Sequence, residues 1–410
     1  MKKTYQFMYI IFLCFASMLA NAQERLPIDS VLARVSTNPS LQAYVAKMSA
    51  EDAYATGAKS LDAPTISAGQ YQTPYQLNPT TGSFMLQAEQ MFTNPAKLKA
   101  KQDYMKGVSK VTAEDKNYLR NQLIAQAKQY YYERVVLEKK LALLQQTQNL
   151  LEYMLKDANI RLTYGKEKLP NIYKAKADLY ELDNTREQLN NEISQKNILL
   201  NTLMNRDKAT TFTVDTNYVI KGYETVITDT SALATSRSDI KGISRNIELQ
   251  QLNAQMEYSK RKPDFGIQAA HMLNYGGYPN QYILMASITI PIVPWASKEY
   301  KANLKGIQYE VEELQQRKLD MVNQAAGQLA GLSTNIGSKK RQLKNYQQNI
   351  IPALQNGYKT ALLAYDQNTG DLPSVLDGIK DLQTARMAYL DNLQQLLTLQ
   401  VTYEKENESN

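Results

Sequence analysis

The side chains able to do chemistry are few and scattered. The 410 residues include one histidine, His271, and one cysteine, Cys14. Cys14 lies in an apolar N-terminal stretch, so a chain that loses this stretch has no thiol nucleophile, no disulfide and no cysteine ligand for a metal. No glycine-rich phosphate loop and no G-x-S-x-G elbow occurs. Paired carboxylates appear only as scattered charges on helical segments, where they usually face solvent. His271, Met272 and Met285 could meet a soft metal ion. Methionine more often fills gaps, however, and a lone histidine is more often an ordinary surface or core residue. The chain therefore reads as a non-enzyme, with no catalytic residue, no cofactor and no metal-ligand set. Whether His271, Met272 or Met285 touches a metal is left open.

If these residues are not positioned for catalysis, the elements that carry them must serve another end. Apolar residues make up 43% and charged residues 21%, enough to bury a core. Only 17 Gly and 13 Pro are present, and 28 Tyr stand against 7 Phe and 1 Trp, which suits long helices with polar faces. Lys2 and Lys3, an apolar stretch from Phe7 to Ala20 and the small-x-small site Ala20-Asn21-Ala22 predict a signal peptide over 1–22, with Gln23 as the first mature residue. Leu13 precedes Cys14 where a lipoprotein site needs a small residue, so lipidation is not expected. Without Lys2 and Lys3 the net charge falls from +7 to +5. Secretion and the lack of a basic block argue against nucleic acid as a partner, despite the basic pI. No later segment approaches 18 consecutive apolar residues, so a membrane would be crossed by strands, not helices.

The chain repeats one plan. At an offset of 199, Pro64 matches Pro263, Pro95 matches Pro294, and Lys106-Gly107 matches Lys305-Gly306. Leu169-Pro170 matches Leu372-Pro373 at an offset of 203, a drift of one helical turn. The first copy covers 23–206: a helix over 28–62, strands over 65–72 and 83–92, and long helices over 96–163 and 170–205. Residues 207–235 read as an irregular linker. The second copy covers 236–405: a helix, strands over 264–272 and 281–291, and long helices over 297–365 and 372–405, with Pro352 starting or kinking a segment. Residues 406–410 form a tail. The first proline-free run predicts a helix on the order of 100 Å long at ~1.5 Å per residue.

Two periodicities accompany this plan. Leu137, Leu141, Leu144, Gln148, Leu151, Leu155, Ala158 and Leu162 are spaced alternately by four and three, as are Ile172, Ala175, Leu179, Leu182, Arg186, Leu189, Ile193, Lys196, Leu200 and Leu203, and Val375, Ile379, Leu382, Arg386, Tyr389, Leu393 and Leu396. Such seams bury a stripe against a neighbouring helix. The strands alternate by two: Phe84, Leu86 and Ala88 against Gln87 and Glu89, and Leu284, Ala286, Ile288 and Ile290 against Ser287 and Thr289. Apolar-out, polar-in alternation suits a membrane barrel with a wet lumen. Two hairpins cannot close one, so an oligomer is required if they span a membrane. A soluble hairpin pair packed on the helices is the alternative. Trp295 could mark a membrane interface, or be an ordinary buried tryptophan.

In this order and on these motifs the chain resembles the TolC family of outer-membrane efflux ducts. The resemblance rests on Asn38-Pro39-Ser40-Leu41 and on Ser238-Asp239-Ile240, where the family often has Pro in place of Ser238. It rests also on Ile288-Thr289-Ile290-Pro291-Ile292, and on the stretch from Ala364-Tyr365-Asp366 to Leu376-Asp377. It implies a mainly α fold with a small β part: long coiled-coil helices in a periplasmic α-barrel, and four strands per chain in a twelve-stranded outer-membrane barrel. It further implies a homotrimer in outer-membrane lipid, a periplasmic adaptor and an inner-membrane pump as partners, and a belt from 207–235 and the C-terminal tail. The protein would be a passive duct. Lys262-Pro263-Asp264-Phe265-Gly266, His271-Met272 and Ile290 to Trp295 look like ducts paired with heavy-metal efflux pumps, especially those of Bacteroidetes.

The same resemblance places the gate at the periplasmic tip. The turns there are Tyr164 to Pro170 and Asn368 to Pro373. Gly165, Leu169, Pro170, Asn368, Gly370, Leu372 and Pro373 are the expected adaptor-contact positions. The 203 offset pairs Gly165 with Asn368, and both residue types tolerate a left-handed backbone. Asp377 falls on an acidic gate position. Ser374 falls on another, where many members carry Asp, and Asp371 and Asp381 lie about a turn away. Lys166, Glu167, Lys168 and Asp371 are expected to link the helices by charge. The alternative class is a structural or adhesive coiled-coil protein of the cell surface.

Overall fold

Asn94 and Pro95 show how local chemistry sets the long elements. In the computed structural model, which describes residues 25–76, 80–223 and 230–408, Asn94 Oδ1 accepts from the Ala96 N–H at 3.0 Å, and Pro95 opens the helix. The expected signal peptide, Cys14, residues 224–229 of the linker and the last two residues of the tail lie outside the described residues. The chain divides into two compact units, Met1–Leu41 with Leu119–Asp229 and Ala325–Asn410, and Gln42–Tyr118 with Thr230–Gln324. Each unit draws on both halves of the sequence.

The elements run β1 (Arg25–Leu26), α1 (Ile28–Val35), α2 (Pro39–Gly57), β2 (Thr65–Tyr71), β3 (Ser83–Phe92), α3 (Pro95–Thr163) and α4 (Leu169–Leu203). There follow β4 (Thr213–Val214), α5 (Thr230–Ser236), α6 (Ser238–Ser259), β5 (Asp264–Asn274) and β6 (Gln281–Thr289). The chain ends with α7 (Pro294–Asn345), a π-helical turn (Tyr346–Ile350), α8 (Ile351–Asp366) and α9 (Leu372–Asn407).

Several boundaries differ from the sequence reading: β5 runs on to Asn274, β6 stops at Thr289, and three regions depart further. The helix expected over 28–62 is two helices. Asn38 caps the second by accepting from the Ser40 N–H at 2.9 Å, and its amide donates to the Leu203 carbonyl. The helix expected over 297–365 opens into the π turn just before Pro352, whose missing N–H and ring bulk prevent a regular α turn. The 207–235 segment is not wholly irregular, since β4 pairs in parallel with β1, and α9 continues into the expected tail.

In the first unit, α3, α4, α8 and α9 bury one seam. Leu137, Leu144, Leu151, Met154 and Ala158 meet Ile172, Ala175, Leu182 and Leu189, together with Tyr365, Leu372, Val375, Leu376 and Ile379. A second core joins Leu26, Val31 and Val35 to Ala127, Tyr131, Val135, Leu200, Phe212 and Val214. Tyr131 ties its edge, donating to the Leu26 carbonyl at 3.0 Å and accepting from the Asp215 N–H at 2.9 Å.

Residues 215–223 then form a strap fixed at its end. Glu404 on α9 accepts from Lys128 (2.7 Å), Lys221 (2.5 Å) and the Tyr223 hydroxyl (2.9 Å). The Lys221 carbonyl accepts from Gln400 and the Tyr223 carbonyl from Ser333, while the Tyr223 ring stacks on Tyr403 at 4.5 Å. Burial alone would raise the Glu404 carboxyl. The hydrogen bonds from the two lysines outweigh it and hold the group below the usual carboxylate range.

The second unit contains an antiparallel four-stranded sheet of order β2-β3-β5-β6, in which β3 and β5 join the two halves of the sequence. Strand alternation gives it two faces. Ile66, Leu86, Phe265, Ile267, Leu284 and Ile288 share an exposed apolar face, on which Ile66 is 72% accessible. Ser67, Gln87, Glu89, Gln268 and Ser287 share the other. Gly276 (φ 73°) turns the second hairpin, and a Cβ there would lie 2.7 Å from the Thr80 carbonyl oxygen, so only glycine fits. Among the described residues, β2 and β6 each leave an edge unpaired. No described helix is long and apolar enough to cross a membrane.

Candidate functional site: the paired helix turns

Two turns of the first unit, α3 to α4 and α8 to α9, lie together and line one cleft that includes Arg161, Gly165, Asn368 and Asp371. Both close the same way. Gly165 (φ 69°) donates to the Leu162 carbonyl, and Lys166 donates to the Arg161 carbonyl. Asn368 (φ 58°) donates to the Tyr365 carbonyl, and Thr369 donates to the Ala364 carbonyl. Each is a Schellman cap, with the left-handed residue satisfying carbonyls that the helix end leaves open. The two positions paired by the 203 offset are thus the left-handed ones. Gly370 leaves room of a different kind: a Cβ there would lie 3.0 Å from Ala364 Cβ, a tight contact.

The restarts of the helices differ. Asp371 caps α9, accepting from the Ser374 N–H at 3.2 Å and from its hydroxyl at 2.5 Å. These bonds hold the Asp371 carboxyl below its usual range. Lys168 stands at the corresponding position of α4 and provides no side-chain cap. Leu372 is 0% exposed, whereas Leu169, its sequence counterpart, is 49% exposed. Pro170 is exposed beside Leu169, and Pro373 is half-buried beside Leu372.

Arg161, which sequence reasoning missed, joins the turns. Its guanidinium pairs with Asp157 at 2.7 Å, donates to the Tyr365 carbonyl at 3.0 Å and to Asn368 Oδ1 at 3.2 Å, and lies 4.1 Å from the Tyr365 ring centroid. Burial pushes the Tyr365 phenol up. The i,i+4 spacing of Asp157 and Arg161 was visible in the sequence, but Arg161's contacts across the turns were not.

Asp377 also has a partner the sequence did not suggest. Its carboxylate meets Lys174 of α4 at 2.7 Å, and one turn further Lys380 meets Glu181 at 3.6 Å. Asp178 lies between these pairs. Burial raises its carboxyl, opposed by Lys380 and Lys174. The structure thus brings Asp371 and Ser374 together, places Asp377 on a cross-helix ion pair and leaves Asp381 exposed further along α9. Of the expected charge links, Lys168 acts on Asp371 across the turns, while the direct side-chain contacts there are made by Arg161 and Lys174. Glu167 turns back to the Lys168 N–H and Asn171. The other set the sequence singled out does not converge: His271 lies on the apolar face of the sheet, Met272 and Met285 on the polar one.

Among solved structures, the chain is similar to a membrane protein from Pseudomonas aeruginosa (TM-score 0.75, 14% identity, 93% of this chain and 90% of that one). It is similar to CusC, described in connection with transmembrane channel formation (TM-score 0.74, 14% identity, 93% and 91% covered). It is similar also to the outer membrane protein VceC from Vibrio cholerae (TM-score 0.73, 14% identity, 93% and 95% covered). At this identity the likeness is one of fold: the chain has the TolC-like fold of outer-membrane channels, mainly helical with a few strands. No family model and no curated protein matches the sequence.

Proposed function

We propose that the protein is a TolC-family duct of the outer membrane, a passive homotrimeric conduit that carries efflux substrates from the periplasm to the exterior. The two-faced sheet with both edges open carries this reading. Its apolar face suits lipid, its polar face suits water, and unpaired backbone groups at a lipid-embedded edge cost several kcal/mol each. Three copies, joined edge to edge, would remove every open edge in one twelve-stranded ring. The helices would continue as the periplasmic part, and the two matched halves would descend from one duplicated plan.

In this reading the paired turns form the gate and meet the tip of a periplasmic adaptor coupled to an inner-membrane pump. Asp377, Asp371, Ser374 and Asp381 belong to the gate; Gly165, Leu169, Pro170, Asn368, Gly370, Leu372 and Pro373 belong to the contact surface. The cargo, heavy-metal ions or drugs, is set by the pump. Nucleic acid is no partner, and no catalysis is needed. The test is purification from outer-membrane fractions. A detergent-stable trimer by light scattering that conducts ions in planar bilayers supports the duct. A soluble monomer, or a trimer without conductance under any gating condition, rejects it.

A further inference from the structure

The four methionines of the described strands, Met85, Met91, Met272 and Met285, all lie on the polar face of the sheet, and none on the apolar face. Apart from Ala270, Ile283 and Tyr71, the rest of the face that carries them is small or polar. The register sets Met85 directly opposite Met272, which is 5% exposed. Directly opposed Cβ atoms lie about 4.5–5.5 Å apart, close enough for two flexible thioethers to converge on one ion.

Met285 stands opposite Gln268, and Met91 stands opposite Gly266. A Cβ on Gly266 would lie 2.6 Å from Met91 Sδ, so the glycine leaves the room this sulfur fills. Glu89, also opposite Gln268, supplies a negative charge on the same face. Neutral, polarisable sulfur selects soft monovalent cations and leaves hard cations in water.

We propose that Met85 and Met272 form a binding site for a soft monovalent cation, Cu(I) or Ag(I); Met285 and Met91 lie on the same face but four and six residues further along the strands, too far to share that ion. His271 takes no part, because it projects from the other face. The site draws on the duct reading only in needing water at this face.

The test uses the full mature protein in detergent, with methyl-labelled methionine, titrated with silver nitrate in buffer free of chloride and thiols. The Met85 and Met272 methyl signals should shift and saturate. Met154, buried among the helices, should not respond. The double variant Met85→Leu/Met272→Leu keeps side-chain volume and should weaken silver binding by roughly tenfold or more. His271→Ala should leave binding unchanged. Strand methyls that move no more than Met154, or a double variant with wild-type affinity, would overturn the site. Conductance measured on the same preparation separates the two readings: a conducting protein without a silver response loses only the cation site, and a silver response without conductance loses only the duct.

Discussion

Arg161 offers the sharpest residue-scale experiment, because one guanidinium spans the two turns. Arg161→Ala should raise amide exchange over 365–370 on the order of tenfold and raise open-channel conductance. Arg161→Lys keeps the charge but loses the fork, and should restore only part of the protection. Asp371 sets a pH window. Its folded-state carboxyl is held below the unfolded value by Ser374, so its contribution is complete above about pH 4 and is lost as pH falls through the lower folded value. Acid titration of the first turn of α9 by exchange should show this loss, and Asp371→Asn, which can still cap, should flatten it. Lys174 and Asp377 form an exposed pair worth only about 0.2–1 kcal/mol, so their substitution should change permeation more than stability. Lys174→Ala uncovers the carboxylate and should increase cation preference in bilayers; Asp377→Ala should decrease it. Equal selectivity in both variants would remove this pair from the proposed gate.

At the scale of elements, the matched Leu-Pro restarts have different environments. Leu372→Ala empties a fully buried site and should destabilise the helices by about 2–5 kcal/mol. Leu169→Ala at the matching position should stay within about 0.5 kcal/mol, and its effect, if any, should fall on partner binding. Denaturant titration distinguishes the two. The strap makes a comparable prediction. Glu404→Gln removes the charge that holds Lys221 of the strap, so residues 215–223 should become protease-sensitive at neutral pH, whereas the parent strap should loosen only in acid. The seams were legible because burial in a helix pair follows a period visible in one chain: Leu144, Leu151, Ile172, Val375 and Ile379 all lie inside. The strap was not, because Lys128, Ser333 and Glu404 come from helices far apart in sequence, and no local pattern marks their meeting. The break at Asn38 had its cap and proline in plain view, but the alanine-rich run around it favoured one continuous helix.

For the whole molecule, the sheet's two faces could be read from alternation, while its order could not: pairing of β3 with β5 is a contact across some 180 residues that no turn signal announces. The open edges at β2 and β6 then carry a genetic consequence. If three chains must each supply a sector of one closed ring, a variant that folds and assembles but blocks its own sector disables the ring it enters. Expressed equally with the parent and mixed at random, it would leave only about one assembly in eight free of damaged chains. Such an allele should behave as dominant, and an allele unable to pair its edges should behave as recessive.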